Sequence, residues 1–319
     1  MEREATYRRA IPDDDDARAR IISEALPLLS MTTSALCEWE GQIRSDDDGH
    51  LSVWVAVANG EVVGTGVLRR RSGLPAETYQ ITTAVTATAR GRGIGSELYR
   101  RVEAEAVERG AKQIEAMSAP GDDASLAWAQ RSGYTLWREL TESVLDLGLG
   151  IFPEVDARMA EVKASGIRLV TLAEIDTPPM RRQVYELCRT ADRDVPMVPD
   201  DHGFMEFDAW ERYVFGGATI RADASWIALD GEAPVGVSSL CFVSEGTARV
   251  LVEFTGVLPS HRRRGIALAL KAISVRWAAA AGYCEMVTEN DPDNPAILRA
   301  NEQLGFRIGP GSRLLRKDL

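Results

Sequence analysis

Several chemistries are thinly provided for in this chain. Its 319 residues hold four cysteines and three histidines. None of Cys37, Cys188, Cys241 and Cys284 belongs to a Cys-x-x-Cys pair. That pattern argues against a structural zinc site, and no metal is expected. The cysteines read instead as small buried hydrophobes in a reducing compartment. No apolar run approaches the ~20 residues that a spanning helix needs. Residues 1–16 are charged where a secretory leader would be apolar. A cytoplasmic protein with no membrane partner is expected. Basic charge is in deficit, with 37 Lys and Arg against 48 Asp and Glu, a net charge of −11. A nucleic-acid partner, which usually demands a basic face, is not expected. A Walker loop is absent too, since no Gly-x-x-x-x-Gly-Lys-Ser/Thr occurs at the glycine loops described next.

What the chain does contain is itself, twice. Arg90-Gly91-Arg92-Gly93-Ile94-Gly95 returns 172 residues later as Arg262-Arg263-Arg264-Gly265-Ile266-Ala267. The same offset pairs Trp54 with Trp226, Val85 with Val257 and Gly110 with Gly282. It also pairs Gly133-Tyr134 with Gly305-Phe306. A length of 319 residues suits two domains. We expect one at 1–148, a linker with a short helix at 149–166, and a second at 167–319.

Local patterns give both copies the same order of elements. In the first, residues 6–11 read as a strand, and Pro12 with the Asp13–Asp16 run opens a helix through about Leu29. A second helix carries Cys37, Trp39 and Ile43. Residues 53–58 and 62–68 form a hairpin around Asn59-Gly60. A strand at 79–85 leads to the glycine loop and a helix at about 96–109, where Leu98, Val102 and Ala106 share one face. A strand at 114–117, a helix at 124–131 and closing strands at 134–147 complete the copy. The second copy adds one unmatched segment, 194–204, rich in Pro and Asp, which reads as a substrate lip or a longer connection. His50 is expected to be exposed. His202 and His261 are weak candidates for the cleft and for phosphate.

A strand feeding a glycine loop that opens a helix is an anion-binding device. Its N–H groups converge, and the helix dipole favours negative charge. Two such loops with arginines suit a pyrophosphate. A Rossmann fingerprint would fall early in a βαβ unit, whereas each loop here comes late, after an antiparallel meander. That order, with Arg-x-x-Gly-x-Gly/Ala, resembles the GNAT acyltransferase superfamily. The resemblance covers nearly the whole chain, twice, and includes Thr255-Gly256-Val257-Leu258-Pro259, Asn294 and Leu304-Gly305-Phe306. The chain is similar to a tandem GNAT protein, which implies an α+β fold: two domains, each a mixed, mostly antiparallel sheet flanked by helices.

The resemblance implies acetyl-CoA, bound in a splay between two central strands, and direct acyl transfer to an amine of a small molecule. In the second copy it assigns the cofactor to Val257, Arg262, Arg263, Arg264, Gly265, Ile266, Ala267 and Leu268, with Asn294 and Asn301. In the first it assigns Val85, Arg90, Arg92, Gly93, Ile94, Gly95 and Ser96. Glu253, aligned with Ile81, is the candidate base of the second copy; its alternative is a surface glutamate. Thr288, Asn290, Asn294 and Asn301 replace Ala116, Ser118, Asp122 and Ala129. They are candidates for cofactor or substrate contacts, with ordinary capping as the alternative for Asn294. We therefore expect a catalytic second copy and a degenerate first. Many GNAT enzymes place a tyrosine four residues before the Gly-Phe pair, as acid for the departing thiolate. Here Asn301 and Ala129 stand there. A non-catalytic acyl-CoA sensor and a protein-lysine acetyltransferase remain open alternatives. A monomer, as an internal pseudo-dimer, or a homodimer is expected.

Overall fold

The computed structural model describes residues 5–27, 32–148, 153–193, 195, 203–216, 220–241 and 249–319. Most of the 194–204 segment, including His202, lies outside these residues. The first half comprises β1 (Thr6–Arg9), α1 (Asp15–Ala25), α2 (Thr33–Ser45), β2 (His50–Ala58), β3 (Glu61–Arg70), β4 (Thr78–Val85), α3 (Ile94–Glu108), β5 (Gln113–Ser118), α4 (Asp123–Arg131) and β6 (Thr135–Asp146). After the linker helix α5 (Pro153–Ala164) come β7 (Ile167–Thr171), α6 (Pro178–Asp192), α7 (Phe207–Phe215), β8 (Trp226–Asp230), β9 (Ala233–Cys241) and β10 (Arg249–Val257). The chain closes with α8 (Ile266–Ala280), β11 (Glu285–Asn290), α9 (Pro295–Gln303) and β12 (Arg307–Asp318).

The 172-residue offset carries over to the backbone. Helices α3 and α8 both have 15 residues. Their N-caps, Gly93 and Gly265, hold φ of 77° and 75°, a left-handed conformation that glycine adopts without a steric penalty. Gly64 and Gly236 are equivalent for a different reason, which is close approach. A Cβ at Gly64 would lie 3.0 Å from Leu98, and one at Gly236 3.0 Å from Ile266 and Leu270. Each loop helix thus lies directly on the second strand of its own hairpin, β3 or β9.

The two sheets are one. Twelve strands run β1-β2-β3-β4-β5-β12-β6-β11-β10-β9-β8-β7, with parallel pairing only at β4/β5 and β10/β11. The last strand of each half has changed places. β12 pairs antiparallel with β5 of the first half, and β6 pairs antiparallel with β11 of the second. The two exchanged strands pair with each other across the middle. The closing strands expected at 134–147 are therefore a single strand. It holds no Gly or Pro at which to double back, so its alternation runs straight into the other half. β12 does carry Gly309-Pro310-Gly311, and its register against β6 shifts between Pro310 and Arg313, where proline removes a ladder donor.

The cores are exchanged with the strands. Leu315 of β12 packs with Tyr79, Tyr99, Val102 and Ile114 of the first half. Leu145 and Leu147 pack with Leu240, Val250, Met286 and Phe306 of the second. Each is a nearly buried side chain, worth about 1.5–3 kcal/mol relative to exposure. Ion pairs add direction: Arg316 to Glu115 (2.8 Å), Arg313 to Asp123 (2.9 Å) and Lys317 to Glu103 (2.5 Å).

Three local expectations change. α1 ends at Ala25, with Leu26 capping on the Ile22 carbonyl. Only Cys188 and Cys241 are buried, while Cys37 and Cys284 are exposed. His50 is half-buried, with Nε2 3.4 Å from Glu105. Desolvation holds its pKa below the usual value, with the nearby Arg109 charge acting in the same direction.

Candidate active site

Both glycine loops are built alike. Arg90 Nε donates to the Val85 carbonyl and Arg262 Nε to the Val257 carbonyl, each at 3.1 Å. The first arginine of each motif thus folds its loop back onto the preceding strand. Arg92, Gly93, Arg263, Arg264 and Gly265 are exposed, whereas Ile94 and Ile266 are buried anchors. The positions differ in strain. Gly91 has φ 74°, and Arg263, its counterpart, has φ 61°. An L-residue there costs roughly 1–2 kcal/mol. Arg264 Nη1 reaches Asp230 at 3.5 Å. His261 bridges Asp230 (3.1 Å) and Ser260 (2.8 Å), so its ring braces the turn.

In the first half the loop opens onto a cleft of about 540 Å³ between β4 and β5. Val85, Arg90, Gly93, Gly95 and Ser96 line one end, and Trp128, Tyr99 and Tyr134 line a wall. β4 and β5 pair from Thr78 and Gln113 only as far as Gln80 and Glu115 and then diverge, leaving strand edges on either side of the opening. Converging loop amides, a left-handed glycine cap and an apolar slot fit a pyrophosphate joined to a flexible arm. Trp128 Nε1 donates to Ser96 Oγ at 3.1 Å. Burial pushes both tyrosine hydroxyls above their usual pKa, so both stay protonated at neutral pH.

A second cavity, of about 330 Å³, lies between the halves. Trp39, Arg69, Gln80 and Thr82 face it from the first half; Tyr213, Leu251 and Glu253 face it from the second. Leu26 and Thr82 line both this chamber and the first-half cleft, so the two spaces adjoin there. Glu253 sits at a break in the β9/β10 register between Val252 and Phe254. A bulge re-aims its side chain, and Tyr213 donates to Glu253 Oε1 at 2.9 Å. Burial and then the Glu253 charge raise the Tyr213 hydroxyl well above its ordinary value. Tyr213 is the partner that sequence reasoning missed. It lies 40 residues from Glu253, on an aromatic helix whose pattern reads as core.

The other polar candidates are engaged in structure. Asn294 caps α9, accepting from Ile297 N, as Asp122 caps α4. Asn301 is fully buried, and its amide donates to Ser143 (3.1 Å) and Asn290 (2.9 Å), joining α9 and β11 to the exchanged strand β6. Thr288 Oγ1 donates to the Val252 carbonyl. Leu268 and Ala267 lie against the second-half core, where α5 packs along α8 and Val162 approaches Gly265. At the positions of Tyr99 and Tyr134 the second half has Lys271 and Phe306. Lys271 is buried, its Nζ 5.6 Å from the Phe306 ring centroid and without a hydrogen bond among the described residues. Burial pulls its pKa down to about 7.

The Acetyltransferase (GNAT) family model matches residues 19–134 and again 183–306. The chain belongs to the GNAT acetyltransferase family. It is a tandem GNAT protein, with two family domains in one mixed α/β structure. A tandem GNAT protein from the clavulanic acid biosynthesis pathway superposes with a TM-score of 0.71, at 18% identity over 99% of this chain and 98% of that one. A GCN5-related N-acetyltransferase from Sphaerobacter thermophilus gives 0.68, at 20% identity over 98% and 95%. These likenesses concern the fold. In sequence, an aminoglycoside N(6')-acetyltransferase type 1 of Salmonella typhimurium is 39% identical over 57 residues, 18% of this chain and 39% of that protein. The match thus spans well under half of that relative. No helix among the described residues is long and apolar enough to cross a membrane.

Proposed function

We propose that this GNAT protein transfers an acetyl group from acetyl-CoA to the amine of a small molecule, in the chamber between its halves. The observation that carries this reading is the junction at Leu26 and Thr82, where a cofactor-shaped cleft meets a cavity holding a carboxylate. The loop amides of Arg92 to Ser96 would hold the pyrophosphate, and Val85 would align the pantetheine arm. The second loop, Arg262 to Leu268 after Val257, has the same backbone and is a further candidate for coenzyme A. The sequence suggested cofactor binding and catalysis in the second half, with a degenerate first half shaping its substrate cleft. The geometry favours a composite site instead, because Phe254 stands where the first half has Thr82 and packs into the second-half core.

Glu253 would take a proton from the incoming ammonium, freeing the nitrogen lone pair. The nitrogen then bonds to the thioester carbonyl carbon as the C–S bond breaks. The departing thiolate takes a proton from the cleft wall or water, the amide nitrogen sheds its excess proton to water, and Glu253 returns its proton to solvent, so that one proton is released per turnover. Tyr213 holds the Glu253 side chain toward the chamber. Tyr134 or Tyr99, protonated in the cleft wall, is a candidate donor to the departing sulfur. Positioning and general-base assistance are the main contributions.

Glu253→Gln is expected to lower kcat/KM about 10²–10⁴-fold near neutral pH with the acetyl-CoA KM unchanged. The loss should shrink at high pH, where the amine arrives deprotonated. An unchanged rate at every pH would remove Glu253 from the mechanism.

A further inference from the structure

The chamber holds a charge pattern that the transfer chemistry does not require. Arg69 lies on its wall, with the guanidinium 4.7 Å from the Trp39 ring centroid and Nε donating to Gln80 Oε1 at 3.0 Å. Among the described residues no carboxylate pairs with it. Gln80 passes its own donor to Glu115, but Glu115 already receives Arg316 from β12. The other carboxylates on the wall are also engaged. Glu40 receives Arg18 and Arg44, and Asp46 receives the Ser72 amide and hydroxyl. Arg71 also lines the chamber, and burial and then the Arg71 charge disfavour the Arg69 charge, with Glu115 offsetting only part of this. Arg69, Arg71 and Arg212 thus bring positive charge to the chamber lining, where Glu253 accepts from Tyr213, whose hydroxyl also feels the Arg71 charge.

A desolvated arginine with no carboxylate partner is costly unless a ligand supplies the anion. Its fork matches the two oxygens of a carboxylate or phosphate, and stacking on Trp39 holds it flat. Charges of both signs on the lining of one small cavity suit a molecule that carries both signs.

We propose that the acceptor amine also bears an oxyanion, a carboxylate or a phosphate, which Arg69 binds with help from Arg71 while the amine faces Glu253. This rests on the acyl-transfer reading given above. It makes the preferred acceptor a small zwitterion of the amino-acid or phosphoamine type. A polycation such as an aminoglycoside would meet two like charges.

The test uses the full chain with saturating acetyl-CoA and reads thiol release. The matched probes are L-phenylalanine against 2-phenylethylamine, and O-phosphoethanolamine against ethanolamine. We expect kcat/KM at least tenfold higher for the oxyanionic member of one pair. Arg69→Gln should abolish that preference, Arg69→Lys should restore part of it, and the acetyl-CoA KM should not move in either. Equal use of the pair, preference for the simple amine, or a preference that survives Arg69→Gln overturns the proposal. If no probe is acetylated, calorimetry with the same oxyanions separates the two ideas. Binding that Arg69→Gln removes keeps the anion site and counts against acyl transfer. No binding of either oxyanion removes the site.

Discussion

The two halves share a backbone and differ in what they place along it. In the first, the loop helix presents Tyr99 toward Tyr134, and an open cleft runs past Thr82 to the chamber. In the second, the same positions hold Lys271, Phe306 and Phe254, and the linker helix lies against α8. The carboxylate is distributed the other way, with Ile81 in the first half and Glu253 in the second. Duplication therefore leaves two similar scaffolds with different side chains at matching positions. Among the described residues, the cleft that adjoins the chamber is lined by the first half, and Glu253 comes from the second. The shared chamber is where they meet, and the exchanged strands fix the halves in that arrangement.

The largest effect expected from breaking this comparison is on folding. Removal of residues 307–319 takes Leu315 out of the first-half core and leaves β5 and β6 without the strand between them. The remaining chain should lose cooperative unfolding of the first half, seen as a broadened or missing transition in circular dichroism. A truncated chain that unfolds as sharply as the intact one would show that each half completes its own sheet.

A smaller effect sharpens the contrast between Tyr99 and Lys271. Lys271→Met removes a buried, unpartnered amine and should stabilise the protein by about 1–3 kcal/mol near neutral pH. The pH dependence has a defined sign. The folded-state pKa is about 7 against an ordinary value of 10.5, so between those values the unfolded chain holds a proton that the folded chain does not. Stability in the parent should therefore rise with pH across that window, by up to about 1.4 kcal/mol per unit, and this contribution should vanish in the variant. Urea titrations at pH 7 and pH 9 read both numbers. Parallel pH profiles for parent and variant would contradict a neutral buried lysine.

The smallest effect concerns the loops themselves. Arg263→Gly restores the residue type found at Gly91 and relieves a left-handed arginine. A gain of about 1 kcal/mol is expected, measured as a rise in melting temperature. No gain would mean that the arginine side chain earns its position through contacts of its own.

Much of this fold was legible in the sequence, because its signals are local. The 172-residue offset, the Asn59-Gly60 hairpin and the glycine loops that open α3 and α8 depend on neighbours in the chain. The strand exchange was not legible. β6 and β12 alternate as any half-buried strand does, and period alone does not say which sheet receives them. For the same reason the bond from Asn301 to Ser143 was hidden, since Ser143 belongs to the other half. The chamber was hidden more thoroughly. Its walls come from α2, β3, β4, α7 and β10, and no short motif announces Arg69 or Tyr213. Glu253 stood out only because its counterpart is apolar.

The central claim is that a first-half cleft and a second-half carboxylate form one site. The most direct measurement compares acetyl transfer by Gly93→Val and Gly265→Val proteins, each checked for an intact fold and titrated calorimetrically with acetyl-CoA. The account predicts that the Gly93 variant loses turnover while the Gly265 variant keeps most of it, with Glu253 required in both. Turnover that survives at Gly93 and disappears at Gly265 would contradict the composite site and return the reaction to the second half alone.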